Sequence, residues 1–182
     1  MVGNHFVIFS ACPYPMRTIR EQTLPKISRN ACEGSSVMSM FKEAMSELPP
    51  HAKAIGMELV SAGHRKCLVK VPYANHLIGD PDTGVIHGGV ITATLDNASG
   101  WSVRCHEGWT EGVSMATLDI RIDYMKPATP GEDLMVEAEC YRMGRSVAFV
   151  RALAYHGDQS DPVATSVGAF MLGTPNQQGR NL

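Results

Sequence analysis

A long apolar segment near the middle of the chain constrains the fold more than any other feature of the sequence. Within residues 87–105, apolar and small side chains recur at spacings of four, three and four, the stripe of an α-helix: Ile91, Leu95, Ala98 and Ser102. Val90 and Trp101 widen this stripe, so most of the helix surface has to be buried. A second layer of structure must therefore cover the helix.

The sequence after Gly112 changes to a period of two, which predicts a β-strand. One face of this strand carries Ala116, Leu118, Ile120, Ile122 and Tyr124. The other face carries Thr117, Asp119, Arg121 and Asp123. Residues 126–131, Lys-Pro-Ala-Thr-Pro-Gly, are a strong turn signal that ends the strand. Three further strands are predicted at 132–142, 146–156 and 162–172.

The sequence ahead of the long helix predicts three shorter elements. Residues 37–48 are rich in helix formers, and Pro49-Pro50 is expected to end that helix. Two strands are predicted near 54–61 and 65–72.

The predicted order is therefore a helix, two strands, one long buried helix and four strands. Strands joined by short turns pair antiparallel, so we expect an α+β fold in which an antiparallel sheet wraps around one long central helix. The 182 residues suit one domain of ordinary size. We expect this domain over 37–174, after an N-terminal extension of unknown role over 1–36 and before a polar C-terminal tail over 175–182.

Charge and composition argue against several classes of protein. A formal net charge of −2 leaves no basic surplus for a phosphate backbone, so we expect no nucleic-acid partner. Because no stretch of 18 apolar residues occurs, we expect no transmembrane helix and no membrane partner. The five cysteines form no C-x-x-C pair and the histidines no H-E-x-x-H motif, so no metal site is expected. Scattered cysteines in odd number favour a cytoplasmic protein with reduced thiols.

The densest chemical signal is the segment 83–100, with the sequence TGVIHGGVITATLDNASG. Gly88 and Gly89 lie at the start of the helix, where the first N–H groups have no intrahelical partner and the dipole favours negative charge. This backbone is a candidate site for a developing oxyanion, such as that of a thioester carbonyl under attack. The alternative is that the glycines only permit close packing of the helix against the sheet.

Asp96 lies within the otherwise apolar helix, where a carboxylate is costly to bury unless it is paired or functional. It is a candidate general base toward water, or a nucleophile on the carbonyl. The alternative is a solvent-facing or capping carboxylate. His87 is either a hydrogen-bonding residue of the loop or an acid–base catalyst. Thr117 could hold a water or the carboxylate, or it could simply be a good strand former.

The spacing of the two main candidates has a geometric consequence. Gly88 and Asp96 are eight residues apart, so along one helix they are separated by about 12 Å. One carbonyl cannot contact both groups of the same chain. If both act on one substrate, the site combines Gly88 of one subunit with Asp96 of another, which predicts a homodimer about a two-fold axis.

The chain resembles the hotdog-fold acyl-CoA thioesterases of the phenylacetate-pathway (PaaI) type over about residues 50–173. The motifs that carry the resemblance are His87-Gly88-Gly89 with Asp96 nine positions after the histidine, Thr117-Leu118-Asp119-Ile120 leading to Tyr124-Met125-Lys126-Pro127, Gly131-Glu132, and Met143-Gly144-Arg145-Ser146. The resemblance implies a hotdog fold that dimerises edge to edge and often pairs again into a tetramer.

The resemblance also implies roles for individual residues. Asp96 matches the catalytic carboxylate, Gly88 the backbone donor that polarises the thioester carbonyl, and Thr117 a position that helps to orient water. The residues expected to bind substrate or coenzyme A are Gly89, Lys126, Gly144, Arg145 and Ser146. An arginine suits this task because its planar fork pairs with phosphate. Pro81 stands where many relatives carry an asparagine, so we assign no catalytic role to the loop around it.

The sequence thus predicts a cytoplasmic acyl-CoA thioesterase that needs no metal or redox cofactor and forms a homodimer or homotetramer. Two other functions stay open. One is a hotdog module that binds acyl-CoA without turning it over, and the other is a hotdog hydratase or dehydratase with His87 as base.

Overall fold

The computed structural model describes residues 48–110 and 112–174, and within these ranges the chain forms two α-helices and eight β-strands. The helices are α1 (Pro50–Ala54) and α2 (Gly88–Arg104). The strands are β1 (Glu58–Gly63), β2 (Lys66–Val71), β3 (Ile78–Asp80), β4 (Val85–Ile86), β5 (Met115–Tyr124), β6 (Leu134–Met143), β7 (Val147–Tyr155) and β8 (Ala164–Leu172). A short 3₁₀ helix, Asn75–Leu77, precedes β3. The predicted extension (1–36), almost all of the predicted first helix (37–48) and the tail (175–182) lie outside the described residues.

Six of the strands form one antiparallel sheet with the order β1-β2-β6-β7-β8-β5. Strands β6, β7 and β8 follow one another along the chain and pair with their neighbours, as hairpins do. Strand β5 instead pairs with β8, so that Met115 lies opposite Leu172 and Tyr124 opposite Ala164. Within the described residues β5 is therefore an edge strand of the sheet. Strands β3 and β4 form a separate two-stranded ribbon directly ahead of α2.

Helix α2 packs against one face of this sheet and contacts β1, β2 and β5 to β8. The predicted stripe is buried: Ile91, Leu95, Ala98 and Ser102. It shares one core with inward side chains of the strands, among them Val136, Val150 and Phe170. Full burial of a side chain of this size contributes about 1.5–3 kcal/mol. The packing of α2 therefore joins helix and strands into one domain.

The structure confirms the predicted α+β fold with one long central helix. Helix α2 confirms the helix predicted over 87–105, and β5 to β8 confirm the four strands after it. The predicted helix over 37–48 and its end at Pro49-Pro50 are not tested, because almost all of that helix lies outside the described residues, but a further helix that the sequence did not predict begins at Pro50. Proline suits the first helical position, where its missing N–H has no intrahelical partner. Strand β1 starts at Glu58, later than the predicted range 54–61, because the end of α1 and the turn after it, with Gly56 at a φ of 70°, occupy residues 54–57.

A bulge at Leu118 changes which residues of β5 face the helix. Thr117 pairs with Phe170, whereas Asp119 pairs with the adjacent residue of β8, so Leu118 is an extra residue in the register. Thr117 therefore lies on the same face as the core residue Phe170, and so does Ile120. The prediction that placed Thr117 on the opposite face together with Asp119 is wrong, because strict alternation holds only while the register is unbroken.

The two-residue turn between β1 and β2 has a strained backbone that can be tested by mutation. Its central residues, His64 and Arg65, have φ values of 50° and 68°, as in a type I′ hairpin turn. We expect His64→Asn to raise the free energy of unfolding by about 0.5 kcal/mol, because asparagine adopts positive φ more readily. The matched control His64→Val should lower it by about 1 kcal/mol. Urea unfolding measures both, and equal stabilities would contradict this conformation of the turn.

Candidate active site

His87 caps the N-terminus of α2. Its Nδ1 accepts a hydrogen bond from the Gly89 N–H at 2.9 Å, and its carbonyl accepts one from the Val90 N–H at 2.9 Å. Its own N–H donates to the Leu77 carbonyl at 2.8 Å. The imidazole thus satisfies one of the donors that the first helical turn leaves without an intrahelical partner. This geometry matches the interpretation of His87 as a hydrogen-bonding residue of the loop, and its acid–base role stays a prediction.

The glycines near the helix start have different surroundings. A Cβ atom at Gly89 would lie 2.8 Å from His87 Nδ1, so the imidazole cap requires a glycine there. A Cβ atom at Gly88 would make an ordinary contact of 3.4 Å with the Tyr124 hydroxyl. Close packing against the sheet therefore does not by itself account for Gly88. In β3, a Cβ atom at Gly79 would lie 2.8 Å from the Cα of His87, a constraint that sequence reasoning missed.

Every fourth residue of α2 from Gly88 to Gly100 faces the edge strand β5. We call this row the β5 seam, and it consists of Gly88, Thr92, Asp96 and Gly100. Its contacts are, in order, Gly88 and Thr92 with Tyr124, Asp96 with Thr117, and Gly100 with Met115. Residues four apart share a helix face. The two main catalytic candidates therefore lie on one face of α2, but about 12 Å apart along its axis.

The carboxylate of Asp96 is held from β5. Thr117 Oγ1 donates a hydrogen bond to Asp96 Oδ1 at 2.8 Å. Asp96 is partly buried, and none of the ion pairs in the described ranges includes it. The contact exists because the bulge at Leu118 turns Thr117 toward the helix. A carboxylate with one oriented oxygen and remaining acceptor capacity can take a proton from water or attack a carbonyl.

A cavity of about 390 Å³ lies at the N-terminus of α2. Apolar side chains form most of its lining: Val85, Ile86, Ile91, Met125, Pro127 and Ala128. Gly88, Tyr124 and Lys126 line the same cavity. The ammonium group of Lys126 forms an ion pair with Asp161 of the loop between β7 and β8. The structure therefore brings the predicted backbone donor and one predicted coenzyme A ligand to a single apolar cavity.

The predicted segment Gly144-Arg145-Ser146 lies at the other end of β5. It forms the turn between β6 and β7, in which the Gly144 N–H donates to the Val147 carbonyl at 2.8 Å. The Ser146 carbonyl accepts from the N–H of Leu172, the residue opposite the first position of β5. Lys126 follows the last position of β5, about 30 Å away along a ten-residue strand. Arg145 and Lys126 therefore do not form the expected cluster within one chain.

Sequence reasoning missed two hydroxyl groups at the β5 seam. Tyr124 donates to the Gly88 carbonyl at 2.7 Å, and Thr92 donates to the same carbonyl at 3.1 Å. The position of Thr92 four residues after Gly88 is a signal that could have revealed its contact. No comparable signal exists for Tyr124, since its contact depends on the register between β5 and β8.

In the loop before α2, the carboxylate of Asp80 forms hydrogen bonds with residues of the same loop. Asp80 accepts hydrogen bonds from the Thr83 hydroxyl at 2.7 Å and from the Asp82 N–H at 3.1 Å. The hydrogen bond from Thr83, followed by that from Asp82, lowers the pKa of Asp80. The carboxylate thus stabilises the turn that contains Pro81, and among the described residues no contact links it to the β5 seam.

The described cysteines are buried or half-buried free thiols: Cys67, Cys105 and Cys140. Burial raises the pKa of Cys67, that of Cys105 to about 12 and that of Cys140 to about 11. Such thiols are protonated near neutral pH and are poor nucleophiles. In the same part of the chain, no group of three or more His, Cys, Asp or Glu side chains could hold a metal ion. No helix among the described residues is long and apolar enough to cross a membrane.

Comparison with known proteins shows which proteins the chain is similar to. Residues 83–163 match the thioesterase superfamily. The chain is 28% identical over 137 residues to the medium/long-chain acyl-CoA thioesterase YigI of Escherichia coli, a match that covers 68% of this chain and 86% of that protein. It is 40% identical to a Pseudomonas aeruginosa protein of known crystal structure, with a TM-score of 0.62 and coverage of 71% and 93%.

The Escherichia coli PaaI protein from the phenylacetic acid degradation operon shows the same fold. Its TM-score is 0.63 at 20% identity, and the match covers 73% of this chain and 91% of that one. The chain therefore belongs to the thioesterase superfamily, hydrolases that act on thioester bonds, and has the hotdog fold. The resemblance seen in its motifs is confirmed at the level of family and fold.

The raised pKa values predict slow thiol chemistry in the folded protein. An ordinary cysteine titrates near a pKa of about 8.5, so at neutral pH Cys105 has a far smaller thiolate fraction. We expect iodoacetamide to alkylate native Cys67 and Cys105 at least about 100-fold more slowly than the same residues in urea, with rates that rise as pH increases. Peptide mass spectrometry after timed labelling measures this. Rapid labelling of native Cys105 at neutral pH would contradict the raised pKa.

Proposed function

We propose that this protein hydrolyses an acyl-CoA thioester to a free acid and coenzyme A. The observation that carries the proposal is the carboxylate of Asp96, held by Thr117 at 2.8 Å on the helix face that also contains Gly88. The printed name of the YigI relative supports acyl-CoA as the substrate class. The apolar cavity beside Gly88 suits an acyl chain. We propose a reaction that uses these protein groups and water, without a metal or redox cofactor.

The proposed reaction forms a carbon–oxygen bond and breaks the carbon–sulfur bond of the thioester. In one route, Asp96 takes a proton from water while the water oxygen attacks the carbonyl carbon. In the other, an Asp96 oxygen attacks the carbonyl, and water then cleaves the resulting anhydride. Both routes put negative charge on the carbonyl oxygen, which the Gly88 N–H at the positive end of α2 would stabilise. Coenzyme A leaves as the thiol after taking up a proton.

The proposed site combines two chains, because the backbone donor and the carboxylate of one helix are about 12 Å apart. Edge strand β5 offers a way to bring them together. In an antiparallel pairing of two β5 strands about a two-fold axis at Arg121, Tyr124 of one chain lies opposite the bulge at Thr117 and Leu118 of the other. The helix start of each chain then lies beside the Asp96 of the other.

Two observations support this assembly. Large apolar side chains on β5 and just after its end are exposed in the single chain: Leu118 by 50%, Tyr124 by 51% and Met125 by 62%. Such exposure is typical of residues that an interface covers. The same pairing also places Lys126 opposite the start of β5 of the other chain, near the Arg145 turn of that chain. The two cations that are separate in one chain would thus meet at the phosphates of one coenzyme A. A homodimer is the smallest assembly with this site, and a homotetramer would contain it twice.

Removal of the carboxylate is the first test. We expect Asp96→Ala to lower kcat by at least about 100-fold, because the group that activates water or attacks the carbonyl is lost. Thr117→Val should lower kcat about tenfold, since Asp96 keeps its charge but loses the hydrogen bond that orients its Oδ1. Release of coenzyme A thiol from short, medium, long and aromatic acyl-CoAs measures both effects. Circular dichroism and the oligomer mass confirm that the variants are folded.

Three outcomes of this assay would contradict the proposal. Undiminished hydrolysis by a folded Asp96→Ala protein would remove Asp96 from the chemistry. Saturable acyl-CoA binding by the wild type without thiol release would indicate a binding module. Loss of activity on an enoyl-CoA substrate in His87→Ala, but not in Asp96→Asn, would indicate a hydratase.

Mixing two inactive variants tests whether the site spans two chains. Gly88→Pro removes the N–H at the first helical position, where proline fits, and the His87 ψ of 132° suits a residue before proline. Homodimers of Gly88→Pro and homodimers of Asp96→Ala each lack a complete site. After random subunit exchange about half of the dimers are mixed, and each mixed dimer has one intact site. We therefore expect recovery of about a quarter of wild-type activity.

The controls separate the N–H group from added bulk. Gly88→Ala keeps the donor, and its Cβ makes an ordinary contact of 3.4 Å with Tyr124, so this variant should stay active. In Gly88→Pro alone, kcat should fall by about 100-fold or more, as expected for loss of an oxyanion donor. No recovery in a mixture shown by mass spectrometry to contain mixed dimers would place the whole site within one chain.

A further inference from the structure

The carbonyl of Gly88 is surrounded by two side-chain hydroxyl groups. Tyr124 Oη lies 2.7 Å from the Gly88 oxygen, Thr92 Oγ1 lies 3.1 Å from it, and the two hydroxyl oxygens are 2.8 Å apart. Two hydroxyl protons serve three contacts, so only two of these can be hydrogen bonds at one moment. In each such arrangement at least one hydroxyl donates to the Gly88 carbonyl. Either hydroxyl can therefore partly replace the other.

These contacts complete a clamp on both peptide planes that flank Gly88. The His87–Gly88 peptide, which contains the Gly88 N–H, is held through the His87 carbonyl by the Val90 N–H at 2.9 Å. The Gly88–Gly89 peptide is held at its nitrogen by His87 Nδ1 at 2.9 Å and at its oxygen by the hydroxyl pair. Glycine has the freest backbone of all residues, so the direction of its N–H depends on such contacts. Within this clamp, Tyr124 is the contact that comes from the sheet.

We propose that Tyr124, together with Thr92, is a positioning residue that aims the Gly88 N–H at the thioester carbonyl. This inference rests on the proposed function, because the aimed group is its oxyanion donor. Tyr124 does not act on the substrate, since its hydroxyl is engaged by the Gly88 carbonyl and by Thr92. Through its hydrogen bond to the Gly88 carbonyl, it fixes the start of α2 relative to edge strand β5.

A purely structural role for Tyr124 makes different predictions. The Gly88 oxygen keeps the Thr92 hydroxyl as a donor, so loss of the Tyr124 hydroxyl alone should change stability little. A positioning role instead lowers kcat and leaves KM nearly unchanged, because the donor matters most when charge develops on the carbonyl oxygen. A residue that only positions the Gly88 N–H cannot contribute more to kcat than the N–H itself. The decrease in kcat in the Tyr124 variant must therefore be smaller than the decrease in Gly88→Pro.

The experiment compares hydroxyl deletions on the full-length chain. We expect Tyr124→Phe to lower kcat about 5- to 20-fold with KM within about twofold, and Thr92→Val to lower kcat a few-fold. Thr92→Ser keeps the hydroxyl and should retain wild-type activity. The double variant should lose more than the product of the single losses, because each hydroxyl can hold the carbonyl alone. Tyr141→Phe is the matched control, because Tyr141 is a similarly exposed tyrosine on another strand, and it should leave kcat and KM unchanged.

A second readout does not depend on activity. In Tyr124→Phe/Thr92→Val the Gly88–Gly89 peptide loses both hydroxyl contacts at its oxygen and keeps only the His87 imidazole at its nitrogen, so the Gly89 amide should exchange its hydrogen at least about tenfold faster than in wild type. Unchanged exchange, or unchanged kcat in Tyr124→Phe while Asp96→Ala is inactive, would overturn the positioning role. Full activity of Asp96→Ala would instead overturn the proposed function, and the exchange result would still decide whether the clamp exists.

Discussion

The burial of α2 against one face of the sheet is the interaction on which the rest of the structure depends. A helix of 17 residues is about 25 Å long, nearly the length of the ten-residue strand β5 beside it. The two elements therefore stay in contact from Tyr124 at the helix start to Met115 near Gly100. The core stripe stabilises this arrangement, and the residues of the β5 seam acquire their positions from it.

The order of the strands decides where polar chemistry can be placed. The core stripe of α2 lies over the middle of the sheet, where an unpaired carboxylate would be costly. The β5 seam lies over an edge strand, so Asp96 is only partly buried and has Thr117 as a hydrogen-bond partner. As an edge strand, β5 can also be reached by a second chain. A carboxylate is therefore tolerated in this row of the helix, which is where the proposed function requires one.

The helix, the strands and the spacing of the two main candidates could be predicted because each depends on local periodicity. The length of α2 and the separation of Gly88 from Asp96 follow directly from its repeat. That Thr117 could hold the carboxylate was one of two interpretations of the sequence, and the structure shows this contact. The sequence could not decide between them, because the contact depends on the bulge at Leu118, and strict alternation placed Thr117 on the wrong face. The contact of Tyr124 depends on pairing between β5 and β8, which are distant in sequence. Long-range register is not encoded in either strand alone.

The separation of donor and carboxylate in one chain has a physical reason within the proposed dimer. A carboxylate placed beside Gly88 in the same chain would itself be drawn to the positive end of α2 and would occupy its N–H donor. With Asp96 two turns further along the helix, His87 caps the helix and the carboxylate is held away by Thr117. Pairing of two chains then brings a donor and a carboxylate together from opposite sides of the substrate. In the proposed site the donor and the carboxylate would therefore not bind each other, because the carbonyl group of the substrate lies between them.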